Sequence, residues 1–162
     1  MTVQLVTLPD VRPTVICVGT SVRKSAAVLR HYLDSLAWQE LPPNTILKPV
    51  FVADTLDDDA LALLQAWVAE RGGEVLIAPR SGVADFADAH PDTHQWAGTA
   101  MARVGMYKDR IIARARALNA DFLCYADADL VCDRTTLASL LSVGAPIATA
   151  VYWTRWQAHG TE

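Results

Sequence analysis

Two apolar periods take turns along this chain. From Pro13 the run TVICVGT is apolar and β-branched, which predicts a strand buried on both faces and ended by Gly19. Ser21 then opens a segment in which Val28, Leu29, Tyr32, Leu33 and Leu36 recur at helical spacing. LPPN at 41–44 breaks that helix, and ILKPVFVAD predicts a second strand ending at Asp54, with Pro49 near its beginning. Asp57, Asp58 and Asp59 are the cap and acidic first turn of a helix carrying Leu61, Leu63, Leu64, Trp67 and Val68, closed by Gly72 and Gly73.

EVLIAP at 74–79 predicts a third strand, and residues 80–98, rich in Gly, Pro, Asp and His, predict a surface loop. A helix follows from Thr99 to Leu118, with Met101, Val104, Ile111, Ile112 and Ala115 inward. Arg103, Lys108, Arg110, Arg114 and Arg116 form its polar complement. DFLCYA is a fourth strand, TTLASLLS a short helix, PIATAVYW a fifth strand and TRWQAHGTE a tail. Strands alternating with helices imply right-handed crossovers and an α/β fold, a mainly parallel Rossmann-like sheet in three layers. With 162 residues the expectation is one domain spanning 1–162.

In such sheets ligands bind beyond the carboxyl ends of the strands. Gly19 to Arg23, Asp54 to Asp57, Pro79 to Ser81 and Asp127 to Asp129 all follow predicted strand ends and belong to one rim. Asp127 and Asp129 stand out there, because an apolar strand gains nothing from running into two acids. On an extended segment residues two apart point the same way, so the pair offers hard oxygens suited to Mn²⁺ or Mg²⁺, ions that keep waters and take phosphates as further ligands. The plainer alternative is that D-A-D caps the strand or the helix beginning near Thr135.

Charge and cysteines narrow the class. A net charge of −4 speaks against a protein built to neutralise nucleic-acid phosphates. Cys17, Cys124 and Cys132 are odd in number and sit in or beside apolar runs, as reduced thiols of a cytoplasmic protein would. No apolar run reaches membrane-spanning length, and MTVQLVTLPDVRP lacks the pattern of a signal peptide.

PTVICVGTSVR, FVADTLDD and KDRIIARARALNADFLCYADADLVCDRTTLASLL, in this order, resemble the nucleotide-sugar-binding half of GT-A glycosyltransferases of the family 2 type. The resemblance implies a GT-A fold, short or truncated, and metal-dependent transfer of a sugar from a UDP- or GDP-sugar to an acceptor hydroxyl. It implies that Asp129 binds the metal and that Asp127 meets the ribose or the metal through water. Asp54 would sit against the base, the Gly19, Thr20 and Ser21 turn would pass base and ribose, Arg23 would join that donor site, and Arg110 would approach the diphosphate. Arg114 competes for the place of Arg110 within a residue or so of register.

Plainer roles stand beside these: Asp54 as a turn cap, and Arg110, Arg114 and Arg116 as the solvated face of a helix. Trp153 and Trp156 could stack a sugar or base or close a core, and His159 could be a third ligand or part of a loose tail. Members of the resembled group continue for another hundred residues or so, which supply the acceptor groove and, in inverting enzymes, a base. No convincing base is visible here. The readings are therefore a truncated or minimal transferase, a non-catalytic nucleotide-sugar module that is degenerate or needs a partner chain, or a nucleotidyltransferase, for which GTSVRKS is a faint Gly-rich basic loop. An incomplete sheet edge favours self-association into a homo-oligomer.

Overall fold

The computed structural model describes residues 12–54, 57–79, 86–90, 93–96 and 98–151. Four strands, β1 (Thr14–Val22), β2 (Thr45–Ala53), β3 (Glu74–Ile77) and β6 (Phe122–Tyr125), form one parallel sheet in the order β3-β2-β1-β6. The α/β reading with a parallel Rossmann-like sheet is therefore borne out. Because every pairing in it is parallel, all four carboxyl ends lie along the same rim.

Strand alternation sorts the side chains onto two faces. Ile16, Val18 and Val22 of β1 and Phe51 and Ala53 of β2 pack with Leu29, Tyr32, Leu33 and Leu36 of α1 (Ala26–Ala37) and Ala60 and Leu64 of α2 (Asp58–Arg71). Cys17, Val50 and Val52 face the other way, against Tyr107, Ile111 and Ala115 of α3 (Gly98–Ala117). Both faces of the sheet are covered, which is why its central strands are apolar at nearly every position. Gly19 is the point of closest approach: a Cβ there would lie 2.2 Å from Ile111 Cγ2, so only a glycine lets α3 settle onto β1.

Pro49 sits inside β2 without breaking it. β3 begins opposite Val50, so at the level of Pro49 that side of β2 has no strand whose ladder would need the missing N–H. Gly73, at φ 113°, passes so near that a Cβ would meet the Pro49 carbonyl at 2.7 Å.

One carboxylate starts two helices. Asp57 Oδ1 accepts from the N–H groups of Asp59 and Ala60 at 3.0 and 3.1 Å, capping α2, while its Oδ2 accepts from Ala26 N at 3.0 Å, the first residue of α1. Ser25, at the N-cap position of α1, makes no such bond with its side chain. Gln39 does a similar service for α4 (Thr136–Ser142), accepting from Leu137 N at 3.1 Å.

The structure departs from the sequence reading in five places. β1 continues through Thr20 and Ser21 to Val22, so the turn begins at Arg23 and not at Gly19. Within the expected loop 80–98, β4 (Phe86–His90) and β5 (Thr93–Trp96) pair as an antiparallel hairpin. Residues 146–151 of the expected fifth strand form no strand, and Ile147 and Val151 are almost wholly exposed. A strand needs a ladder, and none of the described residues pairs with the outer edge of β6. Tyr152 to Trp156 and His159 lie outside the described residues.

The fourth departure concerns α3, whose buried residues are Ala100, Arg103, Tyr107, Ile111 and Ala115, with Met101 exposed. Arg103, expected in its polar complement, faces inward. The fifth concerns the acids: Asp127 O accepts from Leu130 N at 3.1 Å, closing a turn around Ala128 and Asp129, so they do not lie on an extended segment.

Candidate functional site at the carboxyl rim of the sheet

Three loops meet at the rim, after β1, β2 and β6. The β2 loop brings Asp54, which by strand alternation points to the α3 face and is buried. Its Oδ2 accepts from Arg23 Nη1 at 3.2 Å and lies 3.1 Å from Arg103 Nε. A buried carboxylate needs such compensation, since its charge would otherwise be stranded outside water. Oδ1 accepts no hydrogen bond from the described residues although it too is buried, so the carboxylate retains an acceptor position. The Tyr107 hydroxyl is pushed up to about 12, chiefly by burial and then by its approach to Asp54.

The β6 loop carries the acid pair. Ala128 is buried in the core on the α1 and α2 face and pins the turn from below, leaving Asp127 and Asp129 exposed on either side of it. Lys24 Nζ, from the β1 loop, lies 2.7 Å from Asp129 Oδ2. Consecutive cations at the end of the central strand thus reach in opposite directions, Arg23 to the β2 loop and Lys24 to the β6 loop.

The remaining candidates fall apart by role. Thr20 is fully buried and shares a 2.5 Å hydroxyl contact with Tyr32, on the α1 face; Gly19 lies beneath Ile111. Neither offers a side chain to the rim, and Ser21 is half-buried near the strand end. Arg110 is exposed and reaches the Ile77 carbonyl at the end of β3 only at 3.5 Å. Arg114 binds both oxygens of Glu74 at the start of β3, at the opposite rim, and holds that carboxyl below its ordinary value. This leaves Arg110, not Arg114, at the rim.

Arg103, Tyr107 and Lys24 were missed by sequence reasoning. Stepping back from Ala115 and Ile111 by four residues reaches Tyr107 and then Arg103, which places that arginine on the buried stripe. Lys24 carried no such mark beyond its place next to Arg23.

Asp127 also borders an open groove of about 1020 Å³ beside β6, lined by Phe122, Leu123, Leu130, Val131, Leu140 and Ile147. Its apolar lining is that of an uncovered packing surface, unlike the charged rim above it. The described cysteines are free thiols, and burial pushes Cys17 up to about 11. Among the described residues no helix is long and apolar enough to cross a membrane, and no group of three or more His, Cys, Asp or Glu could hold a metal ion. Asp127 and Asp129 carry hard carboxylate oxygens of the type Mn²⁺ or Mg²⁺ takes, and Asp129 already faces a cation.

No model of a known protein family matches the chain. A glycosyltransferase 25 family member from Aedes aegypti is 30% identical over 130 residues, which span 78% of this chain and 21% of that protein. Crystal structures of S. aureus TarS share the fold. The 1–349 portion superposes with a TM-score of 0.55 at 17% identity, over 78% of this chain and 31% of that one. A second TarS structure gives 0.56 at 16% identity, over 78% and 19%. The chain thus matches about a fifth to a third of the length of each of these relatives. Over that stretch it is similar in sequence to the Aedes glycosyltransferase 25 family member and in fold to TarS.

Proposed function

We propose that this rim binds a nucleotide-diphospho-sugar and that the chain is the donor-binding part of a metal-dependent glycosyltransferase. The observation that carries the proposal is Asp54: a buried carboxylate at the end of β2, compensated by Arg23 and Arg103, that keeps one oxygen without a donor. An acceptor-only group suits an N–H of a nucleotide base, and because Oδ1 is buried the groups covering it must give way for a base to reach it. The D-A-D turn two strands away supplies the second half of the donor site, for the diphosphate.

Asp127 and Asp129 would hold Mn²⁺ or Mg²⁺, which when bound neutralises charge on the departing diphosphate. Asp54 orients the base, and Arg23 and Arg103 fix Asp54 in place. Arg110 stands exposed over the end of β3, at the sheet edge opposite the D-A-D turn. As the acceptor oxygen bonds to the anomeric carbon, the bond from that carbon to the diphosphate oxygen breaks, the nucleoside diphosphate leaves with the bonding pair, and the hydroxyl proton passes to a base.

A second reading, a nucleotide-sugar module without turnover of its own, draws on Lys24, whose ammonium already meets Asp129. Calorimetry against UDP- and GDP-sugars, with and without Mn²⁺, tests the binding proposal, and transfer or hydrolysis of a labelled sugar separates the two readings. Binding that is equally tight without metal, and untouched by Asp129→Ala, overturns the metal assignment. Binding untouched by Asp54→Asn overturns the base contact.

A further inference from the structure

We propose that Lys24 is the resident counter-ion of Asp129 and is displaced when a divalent cation arrives, so that its ammonium sets the metal affinity of the rim. The inference rests on the reading of Asp129 as a metal ligand. Lys24 Nζ lies 2.7 Å from Asp129 Oδ2, direct contact with an oxygen that the cation would need. An ammonium and a divalent cation cannot both sit against one exposed carboxylate oxygen without strong repulsion.

Displacement is feasible because the pair is loosely held. Both side chains are more than two-fifths exposed, at 43% and 44%, so each partner regains most of its hydration when they separate. Arg23, the preceding residue, is much better anchored, with its carboxylate partner 2% exposed. The loop after β1 therefore sets one cation on a buried acid and the next on an exposed one. A lysine on a flexible four-carbon stem, once released from Asp129, remains within reach of the same rim and can meet a phosphate oxygen as a point charge.

The test is binding of Mn²⁺ alone, followed by the electron paramagnetic resonance of the free ion, to the intact chain and to Lys24→Met, Asp129→Asn and Arg71→Met variants. Arg71→Met controls for the loss of one positive charge, since Arg71 ends α2 at the opposite rim. Lys24→Met is expected to tighten Mn²⁺ binding about two- to fivefold, the range an exposed ion pair is worth, with Arg71→Met unchanged. Equal tightening in both variants reduces the effect to net charge and overturns the inference. Mn²⁺ binding that Asp129→Asn abolishes but Lys24→Met leaves unaltered overturns the inference while sparing the metal assignment. Binding indifferent to Asp129→Asn, or absent from every variant, overturns both. Thermal melts of each variant confirm that the exposed substitutions leave the fold intact.

Discussion

Arg103 and Asp54 face each other inside the protein, Nε 3.1 Å from Oδ2, with side chains only 10% and 2% exposed. The pair joins α3 to the end of β2, and Arg23 adds a second cation from the end of β1. Arg103→Met removes one of the charges that let Asp54 be buried. The expected cost is about 3 kcal/mol, at the low end for breaking a buried pair because Arg23 remains. Urea denaturation measures it. Arg23→Met, at a quarter-exposed position, should cost clearly less, and equal costs would contradict this view of the cluster.

Gly19 and Ile111 give a test of packing. Gly19→Ala drives a methyl into Ile111 Cγ2 and is expected to destabilise by about 1–3 kcal/mol through overpacking. Combining it with Ile111→Ala, itself costing about 2–5 kcal/mol, should cost less than the sum, because the truncated side chain vacates the space. Strict additivity in the double-mutant cycle would mean that α3 shifts as a body instead.

Acid stability follows from four carboxyls held below their ordinary values. Arg114 does this to Glu74, Arg12 to Asp121, the N–H groups of Ala26 and Ala60 to Asp57, and the N–H of Thr135 to Asp133. Each folded value lies below the unfolded one, so the stabilisation is complete above the unfolded value and disappears as pH falls through the folded one. The thermal midpoint should hold from pH 7 to about 5 and drop below about pH 4. Glu74→Gln should make the acid limb shallower. A midpoint that stays flat to pH 3 contradicts the assignment.

Asp57 should couple two helices. Asp57→Ala removes the acceptors for Ala26, Asp59 and Ala60 at once, so the first turns of α1 and α2 should lose amide-exchange protection together. Loss confined to α2 would show that the bond to Ala26 contributes nothing.

The alternation of apolar strands and amphipathic helices was readable because the central strands β1 and β2 are buried on both faces and α1 and α3 on one. The cap at Asp57 and the break at Gly72 and Gly73 were readable for local reasons, since side chain and backbone preferences act over three or four residues. Arg103 was not, because a cation on a helix is solvated by default and only its buried partner from another element reverses that. Nor was the turn at Asp127 to Leu130, whose shape depends on Ala128 finding a place in the core. The fifth strand was expected from Ile147 and Val151, yet strand formation needs a neighbour, and composition alone does not provide one. At the rim, Asp54 and Asp129 were singled out from the sequence, but their partners Arg103 and Lys24 depend on three-dimensional proximity.

The loop leaving β1 has a consequence for tolerated sequence change. Arg23 and Lys24 are adjacent, yet they serve opposite sides of the central strand. Inserting one residue just after Val22 would offer the planar guanidinium to the open acid and leave the interior one without Arg23, whereas deleting Arg23 would offer the lysine to the interior acid. Length at this junction is therefore under tighter constraint than residue identity, and natural indels should avoid it even where substitutions are accepted.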